Sequence, residues 1–160
     1  MSRFSPLPPD IHLSQTGLET LCAMIAGHLP GPPIAETLNF SLTEAECGRV
    51  VFTGDPQENA LNPQGTVHGG WTATILDSAL ACAVHSTLAI GERYTSVEMK
   101  VSFLRPILLG RTGPLRCEAQ VINRGRTLAL SDARLVDSAG KVYAHGTETC
   151  MIFPKEGPGA

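Results

Sequence analysis

The 160-residue chain has a formal net charge of -3, and 42% of its residues are hydrophobic although only 5% are aromatic. This composition favours a single domain with an aliphatic core, and the lack of a basic stripe argues against a general nucleic-acid binder. No apolar run is long enough to span a bilayer, and the first residues lack a signal-peptide pattern. The five cysteines have no metal-type spacing. We therefore expect a cytoplasmic protein with reduced cysteines, no metal and no membrane partner.

Apolar periodicity divides the chain into two helices and six strands. Ser14 could cap the first helix, which ends at a proline-rich run. The second helix is apolar or small on nearly every face, which is typical of a buried helix. In chain order we predict a helix at about 15–28, strands at about 35–43 and 48–53, a loop at 55–65, a helix at about 67–88, and strands at about 95–103, 115–123, 126–137 and 141–153.

This order of elements predicts an α+β architecture. A mainly antiparallel sheet of five or six strands would curl around the long central helix and bury it. Residues 1–33 would form an N-terminal extension with one added helix, residues 34–153 the domain itself, and residues 154–160 a loose tail.

The triplet His68-Gly69-Gly70 lies at the expected start of the central helix. Free backbone N–H groups at a helix N-terminus, together with the helix dipole, favour a negatively charged oxygen. Glycine lets a ligand approach the backbone closely. An oxyanion hole for thioester or amide hydrolysis requires this arrangement.

Asp77 is the only charged residue between Gly65 and Gly91 when histidine is counted as neutral. Burying a carboxylate without partners is unfavourable. Asp77 therefore either accepts hydrogen bonds from nearby serine and threonine residues, in a structural role, or has a catalytic task. The sequence pattern leaves both roles open.

The spacing of Gly69 and Asp77 predicts how they could work together. Eight residues of α-helix separate them by about 12 Å, whereas both must come within about 3 Å of the reacting atoms. One helix cannot supply both groups to the same carbonyl, but two antiparallel copies in a twofold dimer could. The spacing thus leads to the hypothesis of a homodimer with active sites across its interface.

With these motifs in place, residues 34 to 153 resemble the hotdog-fold acyl-CoA thioesterases. The likeness is closest to the phenylacetate-pathway and 4-hydroxybenzoyl-CoA (Arthrobacter-type) branch. It implies a homodimer with a continuous sheet, often paired into a tetramer, and the N-terminal helix is an addition to the minimal fold. The residues that carry the resemblance are Asn62, Gly65, the triplet His68-Gly69-Gly70, Asp77, the strand Ser96-Val-Glu-Met-Lys, Arg105-Pro106 and the bend Arg124-Gly-Arg-Thr127.

The resemblance also implies a reaction, the hydrolysis of an acyl-CoA to a carboxylic acid and free CoA, without a metal or other cofactor. The Gly69 N–H would donate to the thioester oxygen, and Asp77 of the partner subunit would act as general base or nucleophile. Asn62 would hold the attacking water or the carboxylate, and the Ser96 hydroxyl would support the water. His68 would orient the turn or polarise the carbonyl.

Five further residues are candidates for substrate binding. Gly70 adds a second free N–H and open space beside Gly69. Trp71 either anchors the core or lines the acyl pocket. Arg105, Arg124 and Arg126 could contact CoA phosphates, or they could be solvated charges at strand ends.

Two other functions fit the same fold. The first is a non-catalytic acyl-CoA binding module, although the segment before the domain has no basic recognition helix of the kind expected in an acyl-CoA sensor. The second is an enoyl-CoA hydratase, because Asn62-Pro63 and His68 loosely match the hydratase pattern.

Overall fold

The structure, a computed structural model, describes residues 4–153. The predicted tail at 154–160 therefore lies outside the described residues. Helix α1 (Gly17–Ile25) confirms the predicted N-terminal helix, but its cap is Thr16 and not Ser14. Glu19 explains the difference: its N–H donates to the Thr16 hydroxyl while its carboxylate accepts from the Thr16 N–H, a capping box.

The segment before the first strand departs from the sequence prediction. Residues 35–37 were expected to be strand, but they belong to the short helix α2 (Pro33–Thr37), and the strand begins only at Phe40. Pro33 stands at the start of α2, where its fixed φ suits the first turn of a helix. Asn39, at φ 52°, then turns the chain into the strand.

Six antiparallel strands form one sheet, as predicted. Their spatial order is β1-β2-β4-β5-β6-β3, so the two edges are β1 and β3. The predicted loop at 55–65 contains one short 3-10 turn, Glu58–Ala60. The strands are β1 (Phe40–Glu46), β2 (Arg49–Gly54), β3 (Arg93–Phe103), β4 (Leu115–Arg124), β5 (Leu128–Val136) and β6 (Val142–Phe153).

The central helix α3 (Gly69–His85) lies against the sheet, and most of its side chains are buried. Ile75, Leu76 and Leu80 are among its fully buried residues and lie at the centre of the core. One stripe of α3, which includes Thr74, Asp77 and Ser78, stays only half-buried. The predicted α+β architecture, with an antiparallel sheet wrapped around a buried central helix, is confirmed.

Helix α1 packs on the C-terminal end of α3. The Gly17 N–H donates to the Leu88 carbonyl at 3.0 Å. A Cβ at Gly17 would lie 1.7 Å from the His85 carbonyl oxygen, so this contact requires glycine. None of the helices within residues 4–153 has the length and hydropathy needed to cross a lipid bilayer.

Candidate active site

His68 caps the N-terminus of α3 with its imidazole. Its Nδ1 accepts a hydrogen bond from the Gly70 N–H at 2.8 Å, so Nδ1 carries no proton in this arrangement. The His68 carbonyl accepts a second bond, at 3.0 Å, from the Trp71 N–H. Two of the N–H groups that a helix N-terminus leaves open are therefore satisfied within the turn itself.

The Gly69 N–H is the group left over by this cap. Among residues 4–153, no acceptor binds it. The helix dipole adds a positive potential at this position, so the free N–H is directed at whatever oxygen reaches the turn. The predicted oxyanion donor thus lies at the first residue of α3, while Gly70, the second candidate donor, is occupied by His68.

A cavity of about 390 Å³ opens beside Gly69. Its walls come from the start of α3 and from the chain that follows β3, including Phe103 and Arg105. A Cβ at Gly69 would be 3.2 Å from the Phe103 ring, so the aromatic ring lies directly over the glycine. Arg105 also donates to the Val142 carbonyl. The cavity therefore combines an open N–H, an apolar wall and a guanidinium group, a combination that suits a ligand with apolar and anionic parts.

Asn62 organises the turn that leads to this helix. Its side-chain oxygen accepts from the N–H groups of Gln64 and Thr66, at 3.0 and 3.2 Å, and its Nδ2 donates to the Thr66 hydroxyl at 2.7 Å. Gly65, at φ 76°, provides the left-handed residue that the turn needs. In this structure Asn62 holds the loop that carries His68.

Asp77 lies at the middle of α3 on the half-buried stripe. Its carboxylate makes no hydrogen bond or ion pair with any residue in 4–153, so the serine and threonine residues around it do not satisfy it. Partial burial raises its pKa above the ordinary value for aspartate. This isolation weakens the structural alternative for Asp77 and favours a functional one.

Ser96 lies on β3 at a bulge, where the register with β6 shifts between Ser96 and Glu98. Its hydroxyl donates to the carboxylate of Glu148 on β6. Glu148 is only 1% exposed, and burial, with an added contribution from Asp77, raises the pKa of its carboxyl. The buried carboxyl of Glu148 thus accepts from Ser96, and it lies close enough to Asp77 for the charge of Asp77 to affect its pKa.

The remaining predicted binding residues lie elsewhere. Trp71 is buried in the core, and its indole N–H donates to the Leu38 carbonyl at 2.6 Å, which supports the core-anchor alternative. Arg124 forms a two-pronged ion pair with Glu92 at 2.9 and 3.0 Å. Arg126, in the same β4–β5 bend, is exposed.

Within one chain the predicted residues thus fall into separate groups. The Gly69 group, with Arg105, lies at the N-terminus of α3, whereas Arg124 pairs with Glu92 just beyond the C-terminal end of that helix. Asp77 lies between them, about 12 Å along the axis from Gly69. A single chain does not bring the oxyanion donor and the carboxylate to one point.

Cys82, which is half-buried, and the buried Cys117 and Cys150 are poor candidates for a nucleophile. Burial raises the pKa of the Cys82 and Cys150 thiols to about 12, and it raises the pKa of Cys117 as well. Thiols with such a pKa are almost entirely protonated at neutral pH.

Sequence analysis missed two residues of this region, Glu148 and Phe103. Glu148 had a detectable signal, because Gly146, Cys150 and Ile152 share its face of β6 and make that face otherwise small or apolar. Phe103 had none, since only the tertiary structure places its ring over Gly69.

Known thioesterases are similar to this chain along most of its length. The profile of the Thioesterase superfamily matches residues 64–144. Human acyl-coenzyme A thioesterase 13 is 34% identical over 69% of this chain and 77% of its own length. A Caenorhabditis elegans protein with an esterase name is 39% identical over 62% of this chain, a match that spans only 58% of that longer protein. The phenylacetic acid degradation-related protein from Ralstonia eutropha superposes with a TM-score of 0.74, at 32% identity, over 82% of this chain and 98% of that one.

Proposed function

Because this chain belongs to the thioesterase superfamily and is a thioester hydrolase, we propose that it hydrolyses an acyl-CoA to a carboxylic acid and free CoA. The observation that carries the proposal is the Gly69 N–H, which has no acceptor among residues 4–153 and opens onto a cavity at the start of α3. An N–H in this position can stabilise the oxyanion that forms when a thioester carbonyl is attacked. The name of the human relative supports CoA as the leaving group.

The active form is a twofold homodimer. Its first support is the separation of Gly69 and Asp77 along α3, which two antiparallel helices would remove. Its second support is the edge strand β3, which is eleven residues long and leaves Val97 57% exposed. A long open edge favours pairing with a second strand, here the same strand of the partner subunit. Further pairing of two dimers would give a tetramer.

In this dimer the chemistry divides between two chains. The Gly69 N–H of one chain polarises the thioester carbonyl, and Asp77 of the partner subunit removes a proton from the attacking water or attacks the carbonyl itself. The carbonyl carbon gains an oxygen and loses the CoA thiolate, which takes up a proton. His68 supports this step by keeping the turn in shape, and Asn62 by fixing the loop before it.

The cavity beside Gly69 is the proposed entry for the CoA arm. Arg105 is a candidate to meet a phosphate group, because it lines the cavity and is exposed. Arg124 and Arg126 lie away from this cavity, so they would contact only a CoA molecule that is bound to the partner subunit. The Ralstonia neighbour is named for phenylacetic acid degradation, which supports the phenylacetate part of the proposed branch. Aromatic acyl groups, with the 4-hydroxybenzoyl group among them, are therefore the first to test.

The test is release of free thiol from a panel of acyl-CoAs, with aromatic, medium-chain and hydroxylated acyl groups. We expect steady release by the wild-type protein and nearly none by Asp77→Asn. Asp55→Asn, which removes an exposed carboxylate from the loop after β2, serves as the matched control and should keep full activity. Saturable binding without thiol release would instead identify a binding module, and loss of enoyl-CoA without thiol release would identify a hydratase.

A further inference from the structure

Glu148 is a buried acid with an incomplete set of hydrogen bonds. Its Oε1 accepts from the Ser96 hydroxyl and, at 3.3 Å, from the Cys150 thiol. Its Oε2 is also buried, yet it has no partner among residues 4–153. A carboxyl with one unpartnered oxygen is expensive to keep in a protein core, which indicates that the side chain has a role beyond packing.

The neighbours of Glu148 link it to the proposed reaction. Asp77 on α3 helps to raise the pKa of Glu148, and Glu148 in turn helps to raise the pKa of Cys82 on α3, of Tyr94 on β3 and of Cys150, two residues along β6. The β5 residue paired with it is Ser131, which does not titrate. Cys82, Cys150 and Tyr94 have a raised pKa and stay protonated near neutral pH, so Asp77 is the neighbouring group that carries charge there.

The Ser96 hydroxyl has one hydrogen, and it donates that hydrogen to the carboxylate of Glu148 in a hydrogen bond. The oxygen of Ser96 can then only accept hydrogen bonds on its other side. Ser96 is exposed whereas Glu148 is not, so the accepting side of Ser96 is the side that water can reach. Asp77, as a carboxylate, is also an acceptor.

We propose that Glu148 is a positioning residue that makes Ser96 a pure acceptor, so that Ser96 and Asp77 of one chain hold the two hydrogens of the attacking water. The oxygen lone pair of that water is then free to attack the thioester carbonyl. This inference rests on the proposed thioesterase function and deepens it. It assigns to Glu148 a role that works through Ser96 and not by contact with the substrate.

The proposal includes a dependence on the charge of Glu148. When Glu148 is protonated, its own O–H can donate to Ser96. The Ser96 hydroxyl then points its hydrogen toward the water and no longer accepts a hydrogen bond from it. Glu148 must therefore be ionised for full activity. Burial, the largest cause, and the charge of Asp77 raise the pKa of Glu148, and they outweigh the hydrogen bonds from Ser96 and Cys150, which lower it. The ionisation of Glu148 therefore contributes to the acid limb of the wild-type pH profile, together with that of Asp77.

The experiment compares kcat and KM across pH for wild type, Glu148→Gln, Ser96→Ala and the double variant, by thiol release from one acyl-CoA. Glutamine carries no charge, and its amide N–H can donate to Ser96 as the protonated carboxyl would. We therefore expect Glu148→Gln to lower kcat about 10- to 100-fold, the effect of a misplaced reacting group, with little change in KM. Its acid limb should move to lower pH, because the raised pKa of Glu148 no longer contributes to it. Ser96→Ala should show the same displaced limb, and Glu148→Gln should add nothing in the Ser96→Ala background.

Several results would overturn the proposal. An unchanged acid limb in both single variants would do so, and so would losses of kcat that multiply in the double variant. If Glu148→Gln does not fold, as judged by circular dichroism and thermal melting, the limb of Ser96→Ala decides alone. Absence of thiol release by the wild-type protein would overturn the thioesterase proposal together with this one, whereas an active wild type with an unaltered Glu148→Gln would overturn this one only.

Discussion

His68 accepts the Gly70 N–H through Nδ1 at 2.8 Å, and this bond decides which amide at the start of α3 remains open. The imidazole satisfies the second residue of the helix and leaves the first, Gly69, without an acceptor among residues 4–153. The Gly70 amide is thus used for capping, and the neighbouring Gly69 amide stays open to a ligand. His68 thus caps the helix and also shapes the turn at the proposed oxyanion donor, Gly69.

The two contributions of His68 can be separated by substitution. His68→Asn keeps a good capping side chain, whereas His68→Ala removes the cap and should lower the free energy of unfolding by about 1 kcal/mol. Because the Asn side chain is shorter, we expect both variants to lose kcat/KM, but only the alanine variant to lose stability. Chemical denaturation and thiol-release assays on the same preparations test this. Equal stability of both variants would show that the bond to Gly70 is not a significant cap.

Asp77→Asn should lower kcat and raise the free energy of unfolding. If Asp77 is the proposed general base, its loss should decrease kcat about 10²- to 10⁴-fold. The pKa of Asp77 is raised in the folded state, so its protonated form favours folding below the ordinary aspartate pKa, and that contribution is lost as the pH rises through the folded pKa. An uncharged Asn avoids this loss.

The stability gain of Asp77→Asn should therefore appear at neutral pH and shrink in acid. Thermal melts between pH 4 and 8 would show it as a difference curve that rises with pH. Asp55→Asn, on an exposed loop, provides the comparison. A difference curve for Asp77→Asn that is flat with pH would mean that the carboxylate finds a partner in the assembled protein.

The sequence predicted the parts of this site that depend on local pattern. Asp77 stood out because it interrupts an otherwise uncharged helix, and Gly69 because it lies at a helix start. Local signals failed where two influences compete: Pro33 belongs to the proline-rich run that is predicted to end the first helix, yet it also begins the short helix α2. The Phe103 ring over Gly69 depends on the pairing of distant strands, which periodicity does not encode.

Arg105 and Arg124 should behave differently when truncated, although both were candidates for CoA phosphates. Arg105 is exposed on the cavity wall, so Arg105→Ala should raise KM severalfold with kcat little changed, the pattern of lost uniform binding. Arg124 is half-buried and paired with Glu92, so Arg124→Ala should lower the free energy of unfolding by about 1–3 kcal/mol. Steady-state kinetics with denaturation measurements separate the two. A rise in KM for Arg124→Ala equal to that for Arg105→Ala would place Arg124 at the CoA site of the dimer.

Gly17→Ala tests how the N-terminal helix is attached. The new methyl group would collide with the His85 carbonyl, 1.7 Å away, and a backbone group cannot move aside cheaply. We expect α1 to shift or detach, at a loss of about 1–3 kcal/mol, the range for overpacking. Amide hydrogen exchange should then speed up over 17–25 before any other helix, whereas Cys22→Ala, on the exposed face of α1, should leave exchange unchanged. Exchange over 17–25 in Gly17→Ala equal to that of the wild type would contradict the close contact between α1 and α3. Faster exchange together with a fall in thiol release would show that α1 supports the site at the other end of α3.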